Sequence, residues 1–257
     1  MRKAWMTFAL LVVAAVLAPA GPRVQWKTPW SYSGASGPQH WGDLDPAYAA
    51  CKGKEQSPID IRNAKRVELP AIRFEDKNGP LRIINNGYRA VRVNYPPENG
   101  NVLVVDNKSG EKRYELTQFH FHHPSEEYVD GKPSDMAIHF MYKAGDGKVA
   151  AVAVLLEAGS ANVTIQRLWK YMPKTAGKEH EIPGVDINPA GLLPRNTAYY
   201  TYMGSQTAPP CTEGVTWFVL KAPMDISAEE INAFANLYPH DARPVQPLNG
   251  RVVEESR

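Results

Sequence analysis

A strand-like run ending in two alternating histidines constrains this chain more than any other feature. In Gln118-Phe119-His120-Phe121-His122 apolar and polar residues alternate, and on a strand residues i and i+2 project from one face. His120 and His122 therefore share a face, and Gln118 shares it with them. Residues 113–117 and a second run, 136–142, mix apolar and polar residues at strand spacing. Asp130-Gly131, between the two runs, is a strong short-range hairpin signal. If the runs pair antiparallel, His139 joins the other two histidines. Three converging imidazoles are the ligand set of a catalytic zinc with one open position. The same spacing also suits an exposed or hydrogen-bonded histidine pair, so spacing alone leaves both readings open.

The N-terminus has the order of an export signal. Arg2 and Lys3 precede an apolar run over residues 6–17, and Ala18-Pro19-Ala20 supplies small residues for cleavage. The run is short for a membrane span; the alternative is an uncleaved anchor. The expected organisation is a secretory signal peptide over residues 1–20 and one domain over residues 21–257, periplasmic or secreted, with no stable membrane association after cleavage. Cleavage removes two of the 29 basic residues and none of the 27 acidic ones. The mature chain is then electrically balanced, which argues against nucleic acid or an anionic membrane surface as partner.

No low-complexity linker, charge block or internal repeat divides the remainder. Strand-like runs occupy residues 81–85, 90–95, 102–105, 149–157 and 216–221. Residues 149–156 are continuously apolar, as in a central strand buried on both faces. Helical patterns are few. Ile165, Leu168, Trp169 and Met172 mark one amphipathic helix ended by Pro173. Ser227-Ala-Glu-Glu230 is a capping box that opens another, with Ile231, Phe234 and Leu237 as its apolar stripe. Residues 173–194 read as loop. The expected fold is mostly β (α+β): a single domain on a large twisted, mainly antiparallel sheet with a few short peripheral helices. The chain has two cysteines, Cys51 and Cys211. In an exported protein an even count suggests a bridge, and two buried thiols are the alternative.

Five further motifs extend the histidine pattern: Ser125-Glu126, Gln56-Ser-Pro-Ile-Asp-Ile61, Asn85-Asn86-Gly87, Gly204-Ser-Gln-Thr-Ala-Pro-Pro210 and Arg243-Pro-Val-Gln-Pro-Leu248. In that order and spacing the chain resembles the α-class carbonic anhydrases from about residue 30 to residue 251, and a Cys51–Cys211 bridge resembles one found in bacterial members. The resemblance implies a zinc lyase, a carbonate dehydratase that hydrates carbon dioxide reversibly to bicarbonate and a proton by zinc-bound hydroxide. The alternative is a related zinc-binding or scaffold protein with little hydration activity. The implied metal ligands are His120, His122 and His139, with Gln118 accepting a hydrogen bond from His120. The implied partner is a small-molecule substrate, and the protein is a monomer or homodimer.

By the same resemblance, Thr207 accepts a hydrogen bond from the hydroxide and passes its own proton to ionised Glu126, which fixes the direction of both bonds. Tyr32 belongs with these catalytic residues. Met141, Ala151, Gln206, Ala208 and Trp217, with Thr207, form the carbon dioxide wall. Several positions depart from the pattern. Ala137 stands where a carboxylate commonly holds the third histidine, so another acceptor, for instance a water, has to hold His139. Gln206 replaces a leucine, Ala208 a threonine, and Val91 an amide residue of the water network. Tyr88 occupies the position of the proton-shuttling histidine, which implies modest turnover. His123 points to the opposite face from His122, and His40, His180 and His240 lie in turn- or proline-rich stretches expected at the surface.

Overall fold

The computed structural model describes residues 28–87 and 91–257. Both the signal-like segment, residues 1–20, and Tyr88 lie outside them. Among the described residues a single sheet of thirteen strands dominates. Ten of these position the site: β1 (Ala71–Glu75), β2 (Gly79–Asn85), β3 (Val91–Asn94), β4 (Val102–Asn107), β5 (Gly110–His122), β6 (Met136–Ala144), β7 (Val149–Ala158), β8 (His180–Ile187), β9 (Tyr199–Ser205) and β10 (Glu213–Leu220). Across the sheet the order is β8-β2-β3-β5-β6-β7-β10-β9, with β4 on β5 and β1 on β4. Most neighbours are antiparallel, as expected. The exceptions include β7, which pairs in parallel with β10 and with a short strand at Met224–Ile226.

Alternation along β5 divides the molecule. Phe119 and Phe121 are fully buried on the core face, where they pack with Phe140 of β6 and with Trp169. His120 and His122 face the other way. All residues of β7 from 150 to 156 are buried, so its continuous apolar run reflects a strand covered on both faces.

Two helices close the core face. In α1 (Val163–Lys170) the Asn162 side chain accepts from the Thr164 and Ile165 amides, satisfying two donors that the first turn leaves unpaired. In α2 (Ala228–Ala235) the Ser227/Glu230 capping box forms in both directions. Trp169 of α1 stacks on Phe234 of α2 at 5.7 Å.

Two local expectations change. Asp130 and Gly131 both take positive φ, 51° and 82°, the conformation of a two-residue hairpin turn. The hairpin is a small one, Tyr128–Val129 with Lys132–Pro133, inside the connection from β5 to β6; it pairs with Asp60–Ile61 in a separate three-stranded sheet. Residues 173–194 are not wholly loop, because β8 lies along β2 at the sheet edge. Pro183-Gly184 sits inside the register shift between Glu181 and Asp186, so the sequence looks like a turn where the strand bulges. The Arg82–Glu181 ion pair, 2.9 Å, joins the strands before the bulge.

Cys51 and Cys211 form a disulfide across 160 residues of chain. The bridge joins the N-terminal aromatic cluster of Trp30, Trp41 and Tyr48 to the loop after β9.

Candidate metal centre and catalytic cleft

Register brings the three histidines together. His120 of β5 is paired directly with His139 of β6, and Ala137 is paired with His122. Paired and alternating residues share one face, so one ligand atom from each histidine falls within 4.8 Å of the others. His122 and His139 are each 1% exposed, whereas His120 is half-buried at the mouth.

Each ring is held by its outer nitrogen. His120 Nδ1 is 2.9 Å from Gln118 Oε1, as read from the sequence, and His122 Nδ1 is 2.8 Å from the Asp241 carbonyl. Both partners only accept, so each Nδ1 carries the proton and the lone pair is on Nε2. His139 uses its ring the other way round. Its Nε2 donates to the Glu127 carboxylate, 3.0 Å from Oε2, leaving the lone pair on Nδ1. Glu127 is therefore the other acceptor that the sequence calls for where Ala137 stands, a carboxylate rather than a water.

A metal fits this donor set. His122 Nε2 and His139 Nδ1 are buried without hydrogen-bond partners, an arrangement that costs energy unless an electrophile occupies the point they share. Burial, and then neighbouring His139, hold His122 well below its usual pKa, which favours the neutral, ligating form. For His139, burial opposes the charge, but Glu127 and Glu126 outweigh it and raise the pKa.

Glu126 is fully buried beside the rings, with Oε2 3.5 Å from His122 Nε2 and 3.7 Å from His139 Nδ1. Its Oε1 accepts from the Arg243 amide at 2.7 Å. Burial raises its pKa to about 7, against the pull of His139, the Thr207 hydroxyl and the Arg243 amide. Thr207 is thus close enough to stabilise the Glu126 carboxylate, although Oε2 has no well-aligned donor. Arg243 also binds Gln56 Oε1 at 2.9 Å and the Ser57 carbonyl at 2.8 Å. The sequence motifs at residues 56–61 and 243–248 therefore meet behind Glu126.

The three rings open into a cavity of about 90 Å³ lined also by Tyr32, Gln118, Met141, Gln206, Thr207, Ala208 and Trp217. Trp217 meets His139 edge-on at 4.9 Å. Ala151 is fully buried, paired with both Met141 and Trp217, and does not line the cavity. Its single methyl is too short to pass between those larger side chains.

Val91 does not line it either. Val91 is completely buried in the core, and its neighbour Arg92, paired with His120, takes the cleft-facing position. His123 is turned away and its Nδ1 meets the Pro239 carbonyl at 3.0 Å, while His40, His180 and His240 are exposed.

A large mixed sheet carrying a three-histidine cleft defines the α-type carbonic anhydrases. The family model for eukaryotic-type carbonic anhydrase matches residues 36–257. A carbonic anhydrase of Pectobacterium atrosepticum is 38% identical over 253 residues, covering 98% of this chain and 99% of the relative. One from Nostoc is 39% identical, covering 88% and 86%. The α-carbonic anhydrase of Thermovibrio ammonificans, solved with the inhibitor sulfanilamide, superposes with a TM-score of 0.83 at 38% identity, covering 90% of this chain and 99% of that one. This chain belongs to the α-carbonic anhydrase family. It is a carbonate dehydratase acting on carbon dioxide and bicarbonate, in a family of zinc enzymes.

Proposed function

We propose that His120, His122 and His139 hold one zinc ion, and that Thr207 and Glu126 orient the attacking oxygen during reversible hydration of carbon dioxide. The observation that carries this reading is the pair of buried, partnerless nitrogens, His122 Nε2 and His139 Nδ1, while the opposite nitrogen of each ring is fixed by an acceptor. When bound, zinc acidifies water and polarises oxygen without itself changing oxidation state. Three neutral imidazoles preserve its double charge. The remaining steps belong to the chain.

Thr207 accepts a hydrogen bond from the nucleophile only if its own proton goes elsewhere, and ionised Glu126 is the acceptor that receives it. The Arg243 amide supports the ionised form from behind. Met141 and Trp217 give carbon dioxide an apolar wall beside His139. Gln206 and Ala208 make that wall more polar and less filled than the family pattern. Tyr32 closes the cleft on the side of the N-terminal aromatic cluster. Tyr88, in the shuttle position of the family, slows the return of the proton to solvent.

The protein is exported to the periplasm or beyond, and the Cys51–Cys211 bridge suits an oxidising compartment. Among the described residues no helix is long and apolar enough to cross a membrane.

Metal content and carbon dioxide hydration measured on one purified sample test the central reading. One zinc per chain and measurable hydration are expected, and His122→Ala should lose most metal and all activity. Wild-type protein without stoichiometric zinc after gentle purification would overturn it.

A further inference from the structure

We propose that Arg92 forms an oxyanion subsite on the wall of the catalytic cleft, where its guanidinium binds bicarbonate and other small planar oxyanions. The proposal rests on the reading that this cleft turns over bicarbonate, and it adds a specificity-determining residue to it. The backbone fixes the placement. Arg92 is paired with His120 across β3 and β5, so the two side chains leave the sheet on the same face. Its neighbours Val91 and Val93 are fully buried on the other face, and alternation commits Arg92 to the cleft. There it lines the same cavity as the three histidines and Gln206.

One nitrogen of the guanidinium is left without an internal partner: Arg92 Nε is buried and has no hydrogen-bond partner among the described residues. Glu179 is near enough to favour its charge, although burial acts more strongly in the opposite direction. That carboxylate is engaged by Asn94 Nδ2, two residues along the strand. An N–H taken out of water without an acceptor is costly. Arginine's planar fork matches an oxyanion in two parallel hydrogen bonds, and charge-assisted bonds of this kind are the strong ones. Bicarbonate carries the required pair of oxygens and is already the substrate or product of the reaction. Carbon dioxide has no net charge for the fork to recognise, so the subsite discriminates between the two sides of the equilibrium.

The test begins with metal-free, ¹⁵N-labelled protein at pH 8 and constant ionic strength. Titration with sodium formate, and separately with sodium bicarbonate, should move the Arg92 Nε–H signal in a saturable way. Arg92→Gln should weaken both affinities by about 10-fold or more, and Arg92→Lys should fall between, keeping the charge without the fork. In zinc-loaded enzyme the KM for bicarbonate should rise in Arg92→Gln by the same factor, with zinc still bound. Equal anion affinities in wild type and Arg92→Gln would overturn the subsite. If Arg92→Gln does not fold, a wild-type Nε–H signal that ignores both anions overturns it equally. Protein that binds formate through Arg92 yet hydrates no carbon dioxide would support the subsite while sinking the catalytic reading.

Discussion

His139 Nε2 lies 2.9 Å from Glu127 Oε1 and 3.0 Å from Oε2, with both side chains sealed from solvent. The acceptor comes from the β5–β6 connection, one residue after Glu126, and not from β6 itself, where Ala137 occupies the same-face position two residues before His139. Two adjacent glutamates thus divide their work. Glu126 faces the inner nitrogens and Thr207, while Glu127 holds the outer nitrogen of His139. Ser125 secures the turn by donating to the Glu127 carbonyl at 2.8 Å and accepting from the Ser134 amide at 2.8 Å.

Removing the Glu127 acceptor should therefore loosen the metal rather than abolish the fold's active centre. Glu127→Ala is expected to weaken zinc binding by about 10–100-fold, the range known for such partners of metal-bound histidine, carbonic anhydrase among the systems behind it. Competition with a chromogenic chelator measures this directly. Glu127→Ala/Ala137→Glu should recover part of the loss by returning a carboxylate from the strand. Unchanged zinc affinity in Glu127→Ala would show that the contact does not position His139.

Thr207 separates aiming from metal binding. Thr207→Ala should retain stoichiometric zinc yet hydrate carbon dioxide about 10–1,000-fold more slowly, as expected when one positioned hydrogen-bond partner of a reacting oxygen is lost. Metal analysis beside stopped-flow rates makes the comparison. Full activity with zinc in place would mean that another group orients the nucleophile.

Much of the centre was legible because strand alternation is a strict rule. His120, His122 and Gln118 had to share a face once residues 118–122 were strand, and the continuous apolar run of β7 and the Ser227 capping box were equally direct. Val91 shows how narrow the margin is. A displacement of one residue exchanges the two faces of a strand, and at β3 it exchanges an expected Val91 for Arg92 in the cleft. Glu127 was hidden for another reason. Its contact with His139 depends on how residues 123–135 fold back under the sheet, and no local periodicity encodes that path. Ala137 marked the missing acceptor without indicating its replacement. Pro183-Gly184 concealed β8 by imitating a turn.

Tyr88 predicts a dependence on external buffer. A proton relay works best with a pKa near the working pH. Histidine titrates at about 6.5 and tyrosine at about 10, so a tyrosine at this position is a poor acceptor. Hydration rates of the wild type should rise with the concentration of an imidazole-type buffer, and Tyr88→His should be faster and less responsive to buffer. A wild type already fast and indifferent to buffer would show that a different relay exists.

The last prediction concerns stability away from the cleft. Both oxygens of Asp76 are buried without hydrogen-bond partners, as is the Tyr142 hydroxyl, and Asp76 acts electrostatically on Tyr95 and Tyr142. Burial raises the Asp76 pKa to about 6, against about 3.9 for the carboxyl of an unfolded chain. The native state therefore holds this proton more tightly than the unfolded state. Its contribution is fully present below about pH 4 and is lost as the pH rises toward 6 and beyond, because unfolding then releases the ionised group into water. A shift of about two pKa units corresponds to roughly 2–3 kcal/mol. Asp76→Asn keeps the shape of the neutral acid and cannot ionise. It should leave the melting temperature at pH 4 nearly unchanged and raise it at pH 7.5 by about 4–12 °C, given the usual conversion for a domain of this size. Calorimetric scans of wild type and variant at the two pH values decide the matter. An Asp76→Asn protein no more stable than wild type at pH 7.5 would mean that the ionised carboxylate gains a compensating interaction in the folded state.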